Sequence, residues 1–184
     1  MKRHQMGEFR HRLEKLRLQE TAEAVQWITA GPLWAKAERQ KAGNIFSSVG
    51  LSAESWTFTI RAQDLTMADA LRFEGYHHFI TAIGRAEPGF YEVQTARVRL
   101  AQCRAEPAGG GRRFPAALTE KYIRHEQLAP MAVNATAFVL VTPKIVDLEE
   151  GRLVDVDGTP YEIQTAHRLD AWKNEFEIVR KADL

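Results

Sequence analysis

The stretch "TFTIRAQDLTMADALRFEGYHHFITAIGRAEPGFYEV" at residues 57–93 is echoed later by "TAFVLVTPKIVDLEEGRLVDVDGTPYEIQTAHRLDAWKNEFEI" at 136–178. Each passes in the same order through an apolar run, an acidic loop, a glycine-bearing turn and an alternating segment. Ile60 and Gly75 are 15 residues apart, Val141 and Gly158 are 17 apart, so the copies differ by one short length change. A pattern written twice predicts two small modules of one plan rather than a single large core. With 184 residues in all, each half sits near the lower size limit for an independent apolar core.

The local period is that of strands. In "WTFTI", Trp56, Phe58 and Ile60 fall on one face and Thr57 and Thr59 on the other, the alternation of a half-buried strand. "LRFEGYHHFITAI" reads as a hairpin turning at Glu74-Gly75, and "GRLVDVDGTPYEIQTA" as one turning at Asp157-Gly158; acid-glycine pairs suit two-residue hairpin loops. "FYEVQTARVRL" reads as the closing strand of the first half, and "EFEIVRK" as that of the second. The segment "GEFRHRLEKLRLQETAEAVQWI" is ambiguous: its Glu, Lys, Leu and Arg favour helix, whereas Leu16 and Leu18 alternate as in a strand.

The clearest interruption is "CRAEPAGGGRRFP" at 103–115, where Pro107 and Gly109 to Gly111 break both patterns. This places a first module at 1–104, a Gly/Pro linker at 105–113 and a second module at 114–184. Residues 39–54 form a Gly- and Ser-rich loop carrying Ile45, Phe46 and Val49. An apolar triplet on a long loop is a candidate docking surface.

Charge and chemistry narrow the function. Lys and Arg number 25 against 24 Asp and Glu, so the molecule lacks the strong positive field of a DNA-gripping protein. One cysteine, Cys103, excludes an intramolecular disulfide and suggests an intracellular site of folding. The opening residues have no apolar core of an export signal, and neither export nor a membrane anchor is expected. His77 and His78, with Cys103 and His125, could be metal ligands, yet adjacent strand residues point to opposite faces. Cys103 has no base at a motif spacing that would make it a nucleophile. Asp147, Glu149, Glu150, Asp155 and Asp157 lack the spacing of a calcium loop and read as turn positions. Gly109 to Gly111 with Arg112 and Arg113 could cradle a phosphate, but no helical pattern follows. No nucleotide-binding or hydrolase motif occurs. The expectation is a β-rich binding or assembly protein with no catalytic, cofactor-binding or metal residues and no cofactor.

Several stretches together resemble a known family, the head-closure proteins of tailed bacteriophages, also called head-to-tail joining, stopper or head-completion proteins. "RLEKLRLQE" at 12–20 looks like the family's opening strand. Trp27 followed by Leu33, Trp34 and Ala35 is similar to its second strand, with paired tryptophans. "WTFTIRAQDLTMADALRFEGYHHFITAIGR" and then "FYEVQTARV" resemble its core pattern of strand, arginine, short acidic loop, glycine turn and last strand. The resemblance covers roughly residues 8–100. The second half looks like a related module that begins at the second strand, since nothing before Phe114 plays the opening strand. Its barrel would then be incomplete unless a strand is borrowed.

The resemblance implies an all-β chain of two small antiparallel β-barrel, SH3-like modules in tandem with little helix. It implies a virion structural protein of the neck, assembled in the bacterial cytoplasm, and not an enzyme. Such a protein forms a ring of six or twelve chains between the portal or adaptor ring and the tail terminator or tube proteins. It retains packaged DNA without sequence-specific binding and touches no membrane. The 39–54 loop, with Ile45, Phe46 and Val49, would line the channel or contact the adjacent ring. A tail-completion or baseplate ring protein is the alternative within the same class; a small barrel binding module or an unfamiliar enzyme is the alternative outside it.

Overall fold

A computed structural model describes residues 6–40, 54–105, 111–120 and 138–181. Among them there is no α-helix; a 3-10 turn at Met6–Glu8 precedes twelve strands. Among the described residues, no helix is long and apolar enough to cross a membrane. The chain divides into two units, the first running to Arg99 and the second beginning at Leu100, with Glu20–Val25 also in the second.

The first unit holds β1 (His11–Glu20), β2 (Val25–Arg39), β3 (Ser55–Arg61), β4 (Ala70–Phe73), β5 (Tyr76–Glu87) and β6 (Phe90–Val98). They close into a barrel in the order β1-β2-β3-β6-β5-β4. The second unit holds β7 (Leu100–Ala105), β8 (Arg113–Glu120), β9 (Phe138–Pro143), β10 (Leu153–Val156), β11 (Thr159–His167) and β12 (Lys173–Arg180). These close in the order β7-β8-β9-β12-β11-β10, the same plan strand for strand.

The likeness extends to irregularities. Glu74 and Gly75 have φ of 50° and 81°, and Asp157 and Gly158 have φ of 51° and 85°. Two successive positive φ values make the primed turn whose twist matches that of the flanking strands. The β5–β6 ladder shifts register between Ile80 and Ala82, and the β11–β12 ladder between Ile163 and Thr165. Each of these equivalent pairs, like Val93 with Phe176 and Thr95 with Ile178, lies 83 residues apart. A bulge bends its strand and sharpens the local twist, which helps a short sheet close. The duplication read from the sequence is therefore a duplication of topology, turn and bulge.

The second turn is pinned twice to β7: the Asp157 amide donates to the Gln102 carbonyl at 2.9 Å, and the Asp157 carboxylate accepts the Gln102 amide at 2.8 Å. Gly158→Ala forces a side chain into left-handed backbone and is expected to cost about 1–2 kcal/mol. Chemical denaturation of the variant checks this, with an unchanged midpoint as the contrary result.

Inside the first barrel, Phe58 packs against Trp56, Phe73 and His78 with ring centroids 6.1, 5.3 and 5.6 Å away. Leu13, Ile60, Leu71 and Val93 complete the centre. The second barrel is filled by Phe176, Ile178, Leu140 and Ile163, all at 1% exposure or less.

One open reading is decided and two expectations change. The β1 segment is a strand, although its residues favour helix in isolation. Its charged side chains pair across the sheet and with the β3–β4 loop: Glu14 stands opposite Arg72 and bonds it at 2.9 Å, and Arg17 meets Asp64 at 2.7 Å. Cross-strand pairs of this sort stabilise a sheet as i,i+4 pairs do a helix. Second, the boundary falls at Arg99 rather than in the Gly/Pro stretch. Residues 105–113 connect β7 to β8, which form an antiparallel hairpin with Arg104 opposite Arg113. Third, the second barrel is complete. β7, at 100–105, is the opening strand that nothing before Phe114 was expected to supply, so no borrowed strand is needed to close the barrel.

Candidate interaction surfaces

The histidine pair illustrates how strand geometry separates neighbours. His78 points into the first barrel, where its Nδ1 lies 3.2 Å from the Thr95 hydroxyl. That hydroxyl donates to the Trp56 carbonyl at 3.3 Å. Thr95 thus accepts from His78, which sets the imidazole proton on Nδ1. His77 points outward, under the Trp27 ring at 4.7 Å between centroids and edge-on to Phe79 at 5.4 Å. Its Nε2 and the Trp27 indole nitrogen are buried without a hydrogen-bond partner among the described residues.

Burial holds both imidazoles neutral. It lowers the His77 pKa to about 3, helped by Arg72 and then His78. It lowers that of His78 to about 4, helped by Arg97 and opposed by Glu54. Neutral imidazole can ligate a metal, yet the two rings face opposite sides of one strand. Among the described residues, no three His, Cys, Asp or Glu side chains are gathered as a metal site would require.

Cys103 belongs to the second unit, facing the interior of its barrel at 3% exposure. Burial, reinforced by Asp157 and Asp155, raises its thiol pKa to about 12. A thiol held protonated is a poor nucleophile. In native protein at pH 8 it is expected to resist a thiol-reactive dye, and in denaturant to titrate as one thiol per chain. Stoichiometric labelling of the native protein within minutes would contradict this. His125 lies outside the described residues.

The acidic group is dispersed into local contacts. Asp147 pairs with Arg168 at 2.7 Å, Glu149 with Arg152 at 3.4 Å, and Glu150 accepts the Ala166 amide at 2.9 Å. Asp155 accepts the Gly158 amide at 3.0 Å, while Asp157 serves the Gln102 amide. These carboxylates fasten loops and turns, as side-chain acceptors commonly do. Arg112, considered for phosphate, carries Glu20 at 2.6 Å; Gly109 and Gly110 lie outside the described residues. Ile45, Phe46 and Val49, the docking candidates, also lie outside them.

Two apolar surfaces emerge instead. On the first unit, β2 and β3 pair only from Ala35 opposite Ile60 onward to Arg39 opposite Trp56. Beyond Ala35 they part, leaving a groove of about 350 Å³ lined by Phe9, Pro32, Leu33, Trp34, Arg61 and Gln63. Trp34 is 57% exposed. Phe9 stacks on Phe90 at 5.3 Å, and Phe90 lines a neighbouring hollow of about 490 Å³ with Arg85, Pro88 and Tyr91.

On the second unit, the β9–β10 and β11–β12 connections expose Ile145, Leu169 and Trp172 at 41%, 100% and 43%. Their backbone is well held. Lys144 Nζ donates to the Arg168 and Asp170 carbonyls at 2.8 and 2.7 Å, and the Asp170 carboxylate accepts the Trp172 and Lys173 amides. Asn174 Nδ2 donates to the Lys144 and Val146 carbonyls at 3.1 and 2.8 Å. Rigid exposure of a tryptophan and two aliphatic residues is the composition of a contact surface rather than of a solvated loop.

Sequence reasoning named Trp34 as part of a strand and missed its role at the groove. The signal was available: Leu33 and Ala35 alternate inward, which sets the intervening tryptophan on the outer face. Phe9 and Phe90 carried no such local signal, because their stacking joins residues distant in sequence. No family model, no curated protein and no solved structure matches the chain.

Proposed function

We propose that the chain is a structural protein of the neck of a tailed bacteriophage. In this reading it forms a ring between the portal or adaptor and the tail, retains packaged DNA and offers the surface to which the tail attaches. The observation that carries the proposal is the tandem pair of closed barrels built to one plan, each with its own exposed apolar surface. It joins the resemblance of residues 8–100 to head-closure proteins.

A protein that links unlike neighbours gains from two related modules with different surfaces. One carries Trp34 and Phe9 beside a groove, the other Ile145, Leu169 and Trp172 on braced loops. A ring of six chains would present twelve similar modules, suited to joining a twelve-fold portal to a six-fold tail. The near-neutral charge fits a channel that must later release DNA. Among the described residues, titratable groups such as His78, Asp155 and Asp157 serve packing and turns, which suits an assembly role. The test is removal of the gene followed by electron microscopy of the particles. Filled heads that leak DNA, beside complete free tails, are expected; normal virions would refute the proposal.

A further inference from the structure

The first ten residues of β2, Val25–Trp34, have β1 on one side, whereas pairing with β3 on the other begins only at Ala35. Among the described residues no ladder occupies that second edge. Unpaired backbone amides and carbonyls along a strand are a template for another strand, which proteins commonly block with charge or proline. The sequence here, "VQWITAGPLW", contains no charged residue. Pro32 lacks an amide hydrogen, and Gly31 has a φ of 152° that side-chain-bearing residues rarely adopt. The edge competent for pairing therefore ends near Ala30. At its other end Ala24 is already bridged to Arg113. What remains open is Gln26–Ala30, with Ile28 at its centre and 40% exposed.

We infer that this edge pairs with the same edge of a second copy of the chain, antiparallel and about a two-fold axis at Ile28. An antiparallel strand related by a two-fold is complementary to itself: Gln26 faces Ala30 of the second copy, Trp27 faces Thr29, and Ile28 faces Ile28. No charge is set against charge along the contact, and a net charge of +1 gives no long-range repulsion between copies. β-Branched residues directly opposite one another are favourable sheet pairs. The contact is isologous and closes at two chains, so it stands independently of the proposed ring.

Sedimentation velocity across low micromolar to submillimolar protein tests the inference. The unaltered chain is expected to pass from monomer to dimer. Ile28→Lys or Ile28→Glu alone should weaken association about tenfold or more, because like charges then meet at the axis. An equimolar mixture of the two variants should recover a heterodimer. Thermal melts confirm that each variant folds, as substitution at an exposed position predicts. A monomer at every concentration would leave the edge to a strand of another protein and overturn the inference. So would a dimer indifferent to both substitutions.

Discussion

Lowering the pH from 7 to 5 is expected to cost the fold about 4 kcal/mol, about 2 kcal/mol from each of His77 and His78. The sign follows from burial. In the unfolded chain both imidazoles take up protons near pH 6.5, while in the native barrel they resist until about 3 and about 4. Between those values the unfolded state binds more protons. Stability is thus fully present above pH 6.5 and is lost as pH falls toward the folded values. The surroundings do not offset this: Arg72 faces His77, and Arg97 with Glu54 flanks His78. Asp64, whose carboxyl is held below the ordinary range by Arg17, responds only at lower pH. Urea denaturation at pH 7 and pH 5 measures the difference, which should largely vanish in a His77→Gln, His78→Gln double variant. An equal loss in that variant would place the acid sensitivity elsewhere.

Phe58→Ala is expected to destabilise the protein by about 3–5 kcal/mol. Phe58 is fully buried, and its ring touches Trp56, Phe73 and His78, so truncation opens a cavity at the centre of the first barrel. Trp34→Ala removes a larger side chain yet should cost within about 0.5 kcal/mol, because more than half of it is already in water. Calorimetry or denaturant melts of the two variants separate core from surface. Comparable losses would mean that Trp34 belongs to the packing and not to a contact surface.

Much of the fold was legible because strands advertise their period. Trp56, Phe58 and Ile60 alternate inward, and the acid-glycine pairs at 74–75 and 157–158 adopt the turn their chemistry favours. The boundary was not legible, for a physical reason. β6 ends at Val98 and β7 begins at Leu100, with no Gly, Pro or Asn between them. Ala96, Val98 and Leu100 keep one alternation across the junction, so two strands of different barrels read as one. The Gly-rich stretch beyond looked like a linker, although glycines serve a hairpin connection equally well. β1 shows the opposite conflict: its helix-forming residues are overruled by Leu13 in the core, by a cross-strand partner for Glu14 and by a loop partner for Arg17. The candidate surfaces were the least legible part. Trp34 depends on the place where two strands part, and Phe9 on a stacking partner some eighty residues away.

The proposed function requires that the chain occupy the neck of a phage particle. Cryo-electron microscopy of the neck, reconstructed locally and joined to a mass measurement of the ring, tests this most directly. The account predicts a ring between portal or adaptor and tail, in which every chain contributes two six-stranded barrels. Six chains would fit the tandem arrangement, and twelve would remove the symmetry argument while keeping the location. Purified virions that lack the chain, or that carry it only away from the head-to-tail junction, would contradict it.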